Sequence, residues 1–332
     1  MSLIRFFDPG KAYLKIKSEI DPVIERVLTT GQLILRDDVE EFEGKLAKYV
    51  GTKYAVGVAS GTDALFLSLK VLGVGPGDEV ICPSYTFRAT VEAIVMAGGT
   101  PVLTDLGEDW RPYRTEKTKV IIPAHIAGET LDWETEPGIY MLEDACQAIG
   151  AKPVTGIGAC YSFYPAKLLG CYGDGGGIAT NDEWFYNEIK SIRNHHKDNW
   201  KPYGWNSRLD NLQAAVLNVK IKHLPSSIWR RKLIASEYDK SLPSPIKRPS
   251  IRNIYQDYIV EFKNEHERDS MYAFLKDAGI ETMKNGYPFP ELSPKGKKTL
   301  EYEARSLRLP CNEVLTDEEV KKVIDTMHEY YV

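Results

Sequence analysis

The stretch DEVICPSYTFRATVEAIVMAGGTPVLTDL, residues 78–106, contains a complete strand–helix–strand unit. Its first part, 78–84, is a short apolar run that predicts a buried strand, and residues 88–99 predict a helix that ends at a pair of glycines. Residues 100–106 predict the next strand. Strands and helices that alternate in this way indicate βαβ units and a mostly parallel sheet with helices on both faces.

The same alternation continues on both sides of this unit. Further elements of this kind are predicted as strands at 54–60, 118–125 and 138–145 and as a helix at 62–73. After about residue 210 the pattern becomes helix 209–224, expected to end at Pro225, helix 226–242, strand 255–263 and helices 267–280 and 315–331, the last with Thr316 as N-cap. The sequence therefore predicts an α/β protein. We expect a large doubly wound, mostly parallel sheet domain with an N-terminal arm over residues 1–222, and a smaller α+β domain over residues 223–332.

The composition is that of an ordinary globular protein. The chain has 332 residues, of which 43% are hydrophobic and 27% charged, and its formal net charge is -5. Because it has no basic tract, the sequence does not predict binding to nucleic acid or to an anionic membrane. No run approaches the ~18 apolar residues that a membrane-spanning helix needs. The five cysteines form no C-x-x-C pair and the start has no signal-peptide pattern, so we expect a soluble cytoplasmic protein.

Lys167 is the first candidate for chemistry. It is the only lysine in SFYPAKLLGCYGDGGGIATND, residues 162–182, where small, apolar and aromatic residues surround it. A lysine whose pKa is lowered by desolvation or by a nearby cation can form a Schiff base. We expect the glycines within 173–177 to make a tight turn beside it.

A second candidate is SGTDAL, residues 60–65, which lies between a predicted strand and a predicted helix. Thr62 suits the N-cap of that helix, and Gly61 allows another backbone to approach closely. Free N–H groups and the helix dipole at this point would hold a phosphate group. Plain helix capping is the alternative.

Two further strand ends carry aromatic or acidic residues. Tyr85 and Phe87 lie two residues apart at a predicted strand end, and one of them can stack on a flat ring; core packing is the alternative. Glu143 and Asp144 end another predicted strand. A buried carboxylate needs a partner such as the protonated ring nitrogen of a cofactor, or else it caps the next turn.

These parts together match the requirements of pyridoxal phosphate, which are an imine-forming lysine, an acid for the pyridine nitrogen, a stacking surface and a phosphate site. Several stretches also resemble, in order, one family pattern: GDEVICPSYTFRATVEAI, EDACQAIGA, the Lys167 stretch, GWNSRLDNLQAAVL and LTDEEVKKVID. Over nearly its whole length the chain resembles the DegT/DnrJ/EryC1/StrS family of pyridoxal-phosphate-dependent sugar aminotransferases. The resemblance implies the PLP-transferase fold type I.

The resemblance also implies residue roles. Lys167 is similar to the lysine that forms the internal aldimine and shuttles a proton, and Asp144 to the acid that keeps the pyridine nitrogen protonated. Gln147 is the implied contact to the ring hydroxyl, and Phe87 is the implied contact to the ring face. The implied phosphate contacts are Gly61, Thr62, Ser162 and the backbone N–H of Asp63. In the family the GWNSR loop reaches the neighbouring subunit, so Asn206 and Arg208 are expected to close the phosphate end across a homodimer interface.

The implied reaction moves an amino group from an amino acid, usually glutamate, to a nucleotide-linked keto-sugar. Tyr85, His195 and Tyr287 are candidates for the substrate side of the site. Neither His195 nor its neighbour His196 predicts a metal site, because adjacent side chains do not face one another and no other ligands are suitably spaced.

Departures from the family pattern leave alternatives open. The family usually has glycine at Leu35 or Arg36 and often asparagine at Leu168, and the segments 105–120 and 151–165 look shorter than usual. One alternative is therefore a catalytically silent or regulatory member of the family. The other is a pyridoxal-phosphate-dependent sugar dehydratase, although the family's dehydratases have histidine where this chain has Lys167.

Overall fold

The computed structural model describes residues 3–197, 203–244, 246–247, 254–286 and 295–332. The larger sheet and its helices comprise α1 (Pro9–Thr30), α2 (Asp37–Val50), β1 (Tyr54–Val58), α3 (Gly61–Val71), β2 (Glu79–Pro83), α4 (Arg88–Ala97), β3 (Thr100–Thr104), β4 (Thr118–Ile121), β5 (Tyr140–Asp144), β6 (Gly158–Ser162), β7 (Gly176–Thr180) and α5 (Glu183–Ile192). The remaining elements are α6 (Asn211–Ser241), β8 (Tyr258–Glu261), α7 (Glu265–Asp277), β9 (Met283–Lys284), α8 (Lys297–Arg305), β10 (Ser306–Leu309) and α9 (Asp317–Glu329).

Seven strands form the larger sheet in the order β1-β7-β6-β5-β4-β2-β3. β7 pairs antiparallel with β1 and β6, whereas the other neighbours pair in parallel. One face packs against α3, α4 and α5, and the other against α2 and α6. The predicted mostly parallel sheet with helices on both faces is therefore confirmed. The strand ends that carry the candidate residues meet at one edge, because parallel strands share a direction.

A smaller antiparallel sheet has the order β8-β10-β9. It shares a core with α7, α9 and the second half of α6. The N-terminus joins this core, since Ile4 is buried there and pairs with Ile280. Thr316 caps α9 in a full capping box with Glu319, as expected for the N-cap. None of the helices in the described part of the chain combines the length and apolar character that a bilayer crossing requires.

The expected helix end at Pro225 is wrong, because α6 runs through this residue to Ser241. A proline inside a helix removes one backbone hydrogen bond and costs ~3 kcal/mol. Buried residues lie on both sides of it, Leu224 before and Ile234 after, so tertiary packing holds both halves of the helix. The expected boundary at 222/223 falls inside this helix, and the division into two domains stays a prediction.

We expected a tight turn from the glycines within 173–177; Gly173 lies in a bend, but the last two glycines lie in a strand and serve close packing. Gly176 and Gly177 belong to β7. A Cβ at Gly176 would lie 2.2 Å from the carbonyl carbon of Ser60, and a Cβ at Gly61 would lie 2.8 Å from the Cβ of Ser162. Only glycine allows the start of α3 to sit this close to the ends of β6 and β7.

We therefore expect Gly176→Ala to lower the free energy of unfolding by about 1–3 kcal/mol, because the added methyl group meets backbone that cannot move freely. Chemical denaturation measures this change. Gly44→Ala is the matched control, since Gly44 lies in α2 with open space around its Cβ position. The control should be neutral or stabilising by up to about 1 kcal/mol. Equal stability of the two variants would contradict the packing argument.

Candidate functional site

A cavity of about 420 Å³ opens where the parallel strands end. Its walls contain most of the predicted site residues, namely Gly61, Thr62, Phe87, Asp144, Gln147, Ser162 and Lys167. They follow β1, β2, β5 and β6, which are distant from one another in the sequence. The fold thus collects at one place the residues that the sequence analysis selected separately.

One end of the cavity is the N-terminus of α3. Ser60, and not Thr62 as expected, caps this helix: its hydroxyl accepts a hydrogen bond from the N–H of Asp63 at 3.0 Å. Among the described residues, the N–H groups of Gly61 and Thr62 have no hydrogen-bond acceptor. They and the helix dipole favour an anion here.

Asp63 has other partners than the expected anion. Its backbone N–H is used by Ser60, and its carboxylate accepts a hydrogen bond from Ser207 Oγ at 2.7 Å. Ser207 Oγ in turn accepts one from the N–H of Ala59 at 3.2 Å. Asp63 therefore ties the start of α3 to the segment before α6.

Lys167 lies half-buried in a turn after β6. Gln256 holds both neighbours of the lysine, because its Oε1 accepts from the N–H of Leu168 at 2.9 Å and its Nε2 donates to the carbonyl of Ala166 at 3.0 Å. Desolvation lowers the pKa of Lys167, and the nearby carboxylate of Asp257 opposes that change. A lowered pKa makes the amine a better nucleophile at neutral pH.

Asp144 is 5% exposed and lies at the end of the central strand β5. Thr90 Oγ1 donates to Asp144 Oδ2 at 2.6 Å, and the N–H of Cys146 donates to Oδ1 at 3.2 Å. The hydroxyl of Thr86 lies 2.8 Å from that of Thr90 and continues the chain. These donors orient the carboxylate.

Gln147 lies near this carboxylate in the cavity wall. Its Oε1 accepts a hydrogen bond from the N–H of Ala127 at 2.9 Å. Within the described residues its Nε2 has no acceptor, so a donor is available for an oxygen of a bound group.

Glu143 faces away from Asp144, which settles which of the two acids serves the cavity. Its Oε1 accepts from the N–H groups of Thr155 and Gly156, and its Oε2 lies 3.1 Å from His125 Nε2. His125 Nδ1 accepts from the N–H of Leu131, so the ring carries its hydrogen on Nε2 and donates to Glu143. Burial alone raises the pKa of Glu143, but these hydrogen bonds outweigh it and hold that pKa at about 2.

The two aromatic candidates occupy different environments. Phe87 is 40% exposed and lines the cavity. Tyr85 does not line it: the ring packs edge-on against Tyr302 at 5.1 Å, and its hydroxyl is hydrogen-bonded to Asn285. Burial raises the pKa of Tyr85 well above its usual value.

The remaining candidates that the structure describes do not line this cavity. Arg208 Nη1 donates to Asn194 Oδ1 at 3.1 Å, and Asn206 forms a β-bridge with Asn194. His195 is exposed and adjoins this bridge. Tyr287 lies outside the described residues. No group of three or more His, Cys, Asp or Glu side chains in the described ranges is placed to hold a metal ion.

Thr90 and Gln256 were not found from the sequence. Threonine and glutamine carry no chemical signal of their own, and each acts on a residue more than fifty positions away.

The fold and this cavity define the class of fold type I aminotransferases. The chain belongs to the DegT/DnrJ/EryC1/StrS aminotransferase family, whose profile matches residues 14–328. The predicted family, the enzyme class and the fold class are thereby confirmed.

Named relatives act on nucleotide sugars. The UDP-2-acetamido-2-deoxy-3-oxo-D-glucuronate aminotransferase of Pseudomonas aeruginosa is 40% identical over 87% of this chain and 87% of the relative. The dTDP-3-amino-3,4,6-trideoxy-alpha-D-glucose transaminase of Streptomyces venezuelae is 35% identical over 98% of this chain and 96% of the relative.

Solved structures show the same fold with ligands. DesV of S. venezuelae in complex with a ketimine intermediate has a TM-score of 0.91 and 33% identity, and covers 99% of each chain. The PLP-form of the putative sugar aminotransferase Spr1654 from Streptococcus pneumoniae has a TM-score of 0.86 and 25% identity, over 93% of this chain and 95% of that one. The relatives therefore indicate a pyridoxal-phosphate-dependent group of enzymes.

The Glu143–His125 pair makes a pH-dependent contribution to stability. Because the pKa of Glu143 is lowered from 4.5 to about 2 in the folded state, the contribution is complete above pH ~4.5 and is lost as pH falls through about 2. We expect Glu143→Gln to reduce the free energy of unfolding at pH 7 by roughly 3 kcal/mol. The NH2 group of the glutamine would face an N–H group that now donates to the carboxylate, so that hydrogen bond would be lost.

Denaturation curves from pH 7 to pH 2 measure this effect. The loss of stability on acidification should be shallower in the variant than in the wild type. Glu116→Gln, at an exposed position, is the control and should leave the curve unchanged. If Glu143→Gln lost as much stability between pH 7 and pH 2 as the wild type, the stabilising role of the Glu143 carboxylate would be contradicted.

Proposed function

We propose that this protein is a pyridoxal-phosphate-dependent aminotransferase that moves an amino group from L-glutamate to a nucleotide-linked keto-sugar. The observation that carries the proposal is the shared cavity of Lys167 and Asp144 at the N-terminus of α3. The named relatives, whose substrates are nucleotide sugars, support the acceptor class.

The residues of the cavity fit this cofactor. The uncommitted N–H groups of Gly61 and Thr62, with Ser162 beside them, suit a phosphate. Phe87 would cover a ring face, and Gln147 Nε2 would donate to the ring hydroxyl.

Bound pyridoxal phosphate supplies an electron sink for the bonds around the reacting carbon. Asp144 would hold a proton on the pyridine nitrogen, because Thr90 and the N–H of Cys146 keep its carboxylate in place as an acceptor. Lys167 Nζ would hold the cofactor and, as a free amine, would move a proton at the reacting carbon. Gln256 fixes both flanks of Lys167, so the amine returns to one position in each half of the reaction.

We place the working enzyme in a homodimer. Asn206 and Arg208 lie outside the cavity of their own chain, which agrees with a role in the phosphate end of the neighbouring subunit's cavity. A guanidinium beside a phosphate forms strong charge-assisted hydrogen bonds. We also place the reaction in the cytoplasm, since all five cysteines are free thiols.

The first test is cofactor attachment. Wild-type protein incubated with pyridoxal phosphate should show the visible absorption band of a cofactor joined to a lysine amine. Lys167→Ala should lack this band, because no amine remains in the cavity to react. L-glutamate should convert the wild-type band to that of the aminated cofactor.

Absence of the wild-type band would overturn the proposed cofactor. A band that glutamate does not alter would favour a catalytically silent relative. Mass spectrometry of UDP- and dTDP-linked keto-hexoses, incubated with enzyme and glutamate, then reports amino transfer. Dehydration without nitrogen gain would instead indicate the dehydratase.

The second test is sharing of the site between subunits. Arg208→Ala should weaken cofactor affinity about tenfold or more, since a charge-assisted hydrogen bond to phosphate is lost. At a cofactor concentration too low to saturate Arg208→Ala, its co-expression with Lys167→Ala should give more activity than either variant alone, because a mixed dimer contains one intact site. If both roles belonged to one chain, the mixture would not exceed the activity of Arg208→Ala.

A further inference from the structure

Residues Leu3–Asp8 form an extended N-terminal strap that pairs with the segment between α7 and β9. The N–H of Ile4 donates to the carbonyl of Gly279, and the N–H of Glu281 donates to the carbonyl of Ile4, both at 2.9 Å. The N–H of Phe6 donates to the carboxylate of Glu281 at 3.0 Å. Asp8 ends the strap as the N-cap of α1. The strap is therefore held along its length.

Asn312 fixes the middle of the strap. Its Nδ2 donates to the carbonyls of Arg5 and Phe6 at 3.2 and 3.1 Å, and its Oδ1 accepts from the N–H of Val314. Asn312 is 4% exposed and also lines the cavity. The side-chain amide of Asn312 thus fixes the position of the strap relative to the cavity wall.

Phe6 and Phe7 are half-buried and line the cavity. They reach it from the N-terminal strap, whereas the proposed cofactor residues lie at the ends of strands of the larger sheet. No step assigned to the cofactor uses these rings. An aromatic surface left half-open in a cavity is available to a ligand with apolar faces.

The two proposed substrates differ in what they gain from such a surface. A nucleotide-linked hexose has flat C–H faces and a base, and covering them releases water from apolar area. Glutamate is small and carries two carboxylates, so an aromatic wall contributes little to its binding.

We propose that Phe6 and Phe7 form the wall against which the nucleotide-linked keto-sugar packs, and that Asn312 is the residue that positions them. This assignment rests on the proposed function. It adds that the N-terminal strap contributes to the enzyme's specificity for the acceptor substrate.

The test separates the two half-reactions, each followed by cofactor absorbance. The donor probe is L-glutamate, and the acceptor probe is UDP-2-acetamido-2-deoxy-3-oxo-D-glucuronate with the aminated enzyme. Phe6→Ala and Phe7→Ala should each lower kcat/KM for the acceptor about tenfold, through KM. The glutamate half-reaction should stay within about twofold, because its substrate does not need the wall.

Matched variants guard against a merely structural loss. Leu3→Ala removes an exposed side chain of the same strap, outside the cavity, and should leave both half-reactions unchanged. Phe7→Leu keeps apolar bulk and should recover part of the acceptor KM. Calorimetry with UDP-N-acetylglucosamine should show weaker binding to Phe7→Ala than to the wild type.

A double-mutant cycle tests the positioning role of Asn312. Asn312→Ala should raise the acceptor KM in the wild-type background and add little in Phe6→Ala/Phe7→Ala, since the residue acts through the rings. Full additivity, or an equal loss in both half-reactions, would overturn the proposal. A wild type that fails with glutamate contradicts the proposed function itself. A wild type that accepts glutamate but not the acceptor probe overturns the role of the strap for this substrate.

Discussion

Two buried carboxylates at the end of the central strand β5 impose the constraint on which the site depends. Burial of an ionised acid is unfavourable unless donors replace the lost water. Glu143 obtains them from His125 and from the segment at Thr155 and Gly156. Asp144 obtains them from Thr90 on α4 and from the N–H of Cys146. The need for donors thus ties a loop, a helix and a turn to one strand end.

The second constraint is steric. The start of α3 lies so close to β6 and β7 that Gly61 and Gly176 have no room for a side chain. This packing brings the N–H groups of the helix to the cavity that holds Lys167 and Asp144. The N–H groups at the start of α3 and the amine of Lys167 therefore share one cavity because two residues lack a Cβ.

The cavity has contributions from both sheets. The larger sheet supplies strand ends with polar residues, and the segment after β10 supplies Asn312, which holds the N-terminal strap that carries Phe6 and Phe7. The two walls thus have different chemistry, since one carries polar groups and the other aromatic rings. Helix α6 runs through Pro225 and connects the two regions. Its first half packs against the larger sheet and its second half packs in the core of the smaller sheet.

The sequence by itself determined the alternation of strands and helices, the family and the residue types at the strand ends, because these depend on local periodicity and on side-chain chemistry. Lys167 and Asp144 could be selected in this way. Only the tertiary structure decided that Glu143 faces His125, that Ser60 rather than Thr62 caps α3, and that α6 continues past Pro225. The partners Thr90, Gln256 and Asn312 also emerged only from the folded chain. Each of these outcomes depends on contacts between distant segments, and such contacts outweigh the local preferences that a sequence pattern reports.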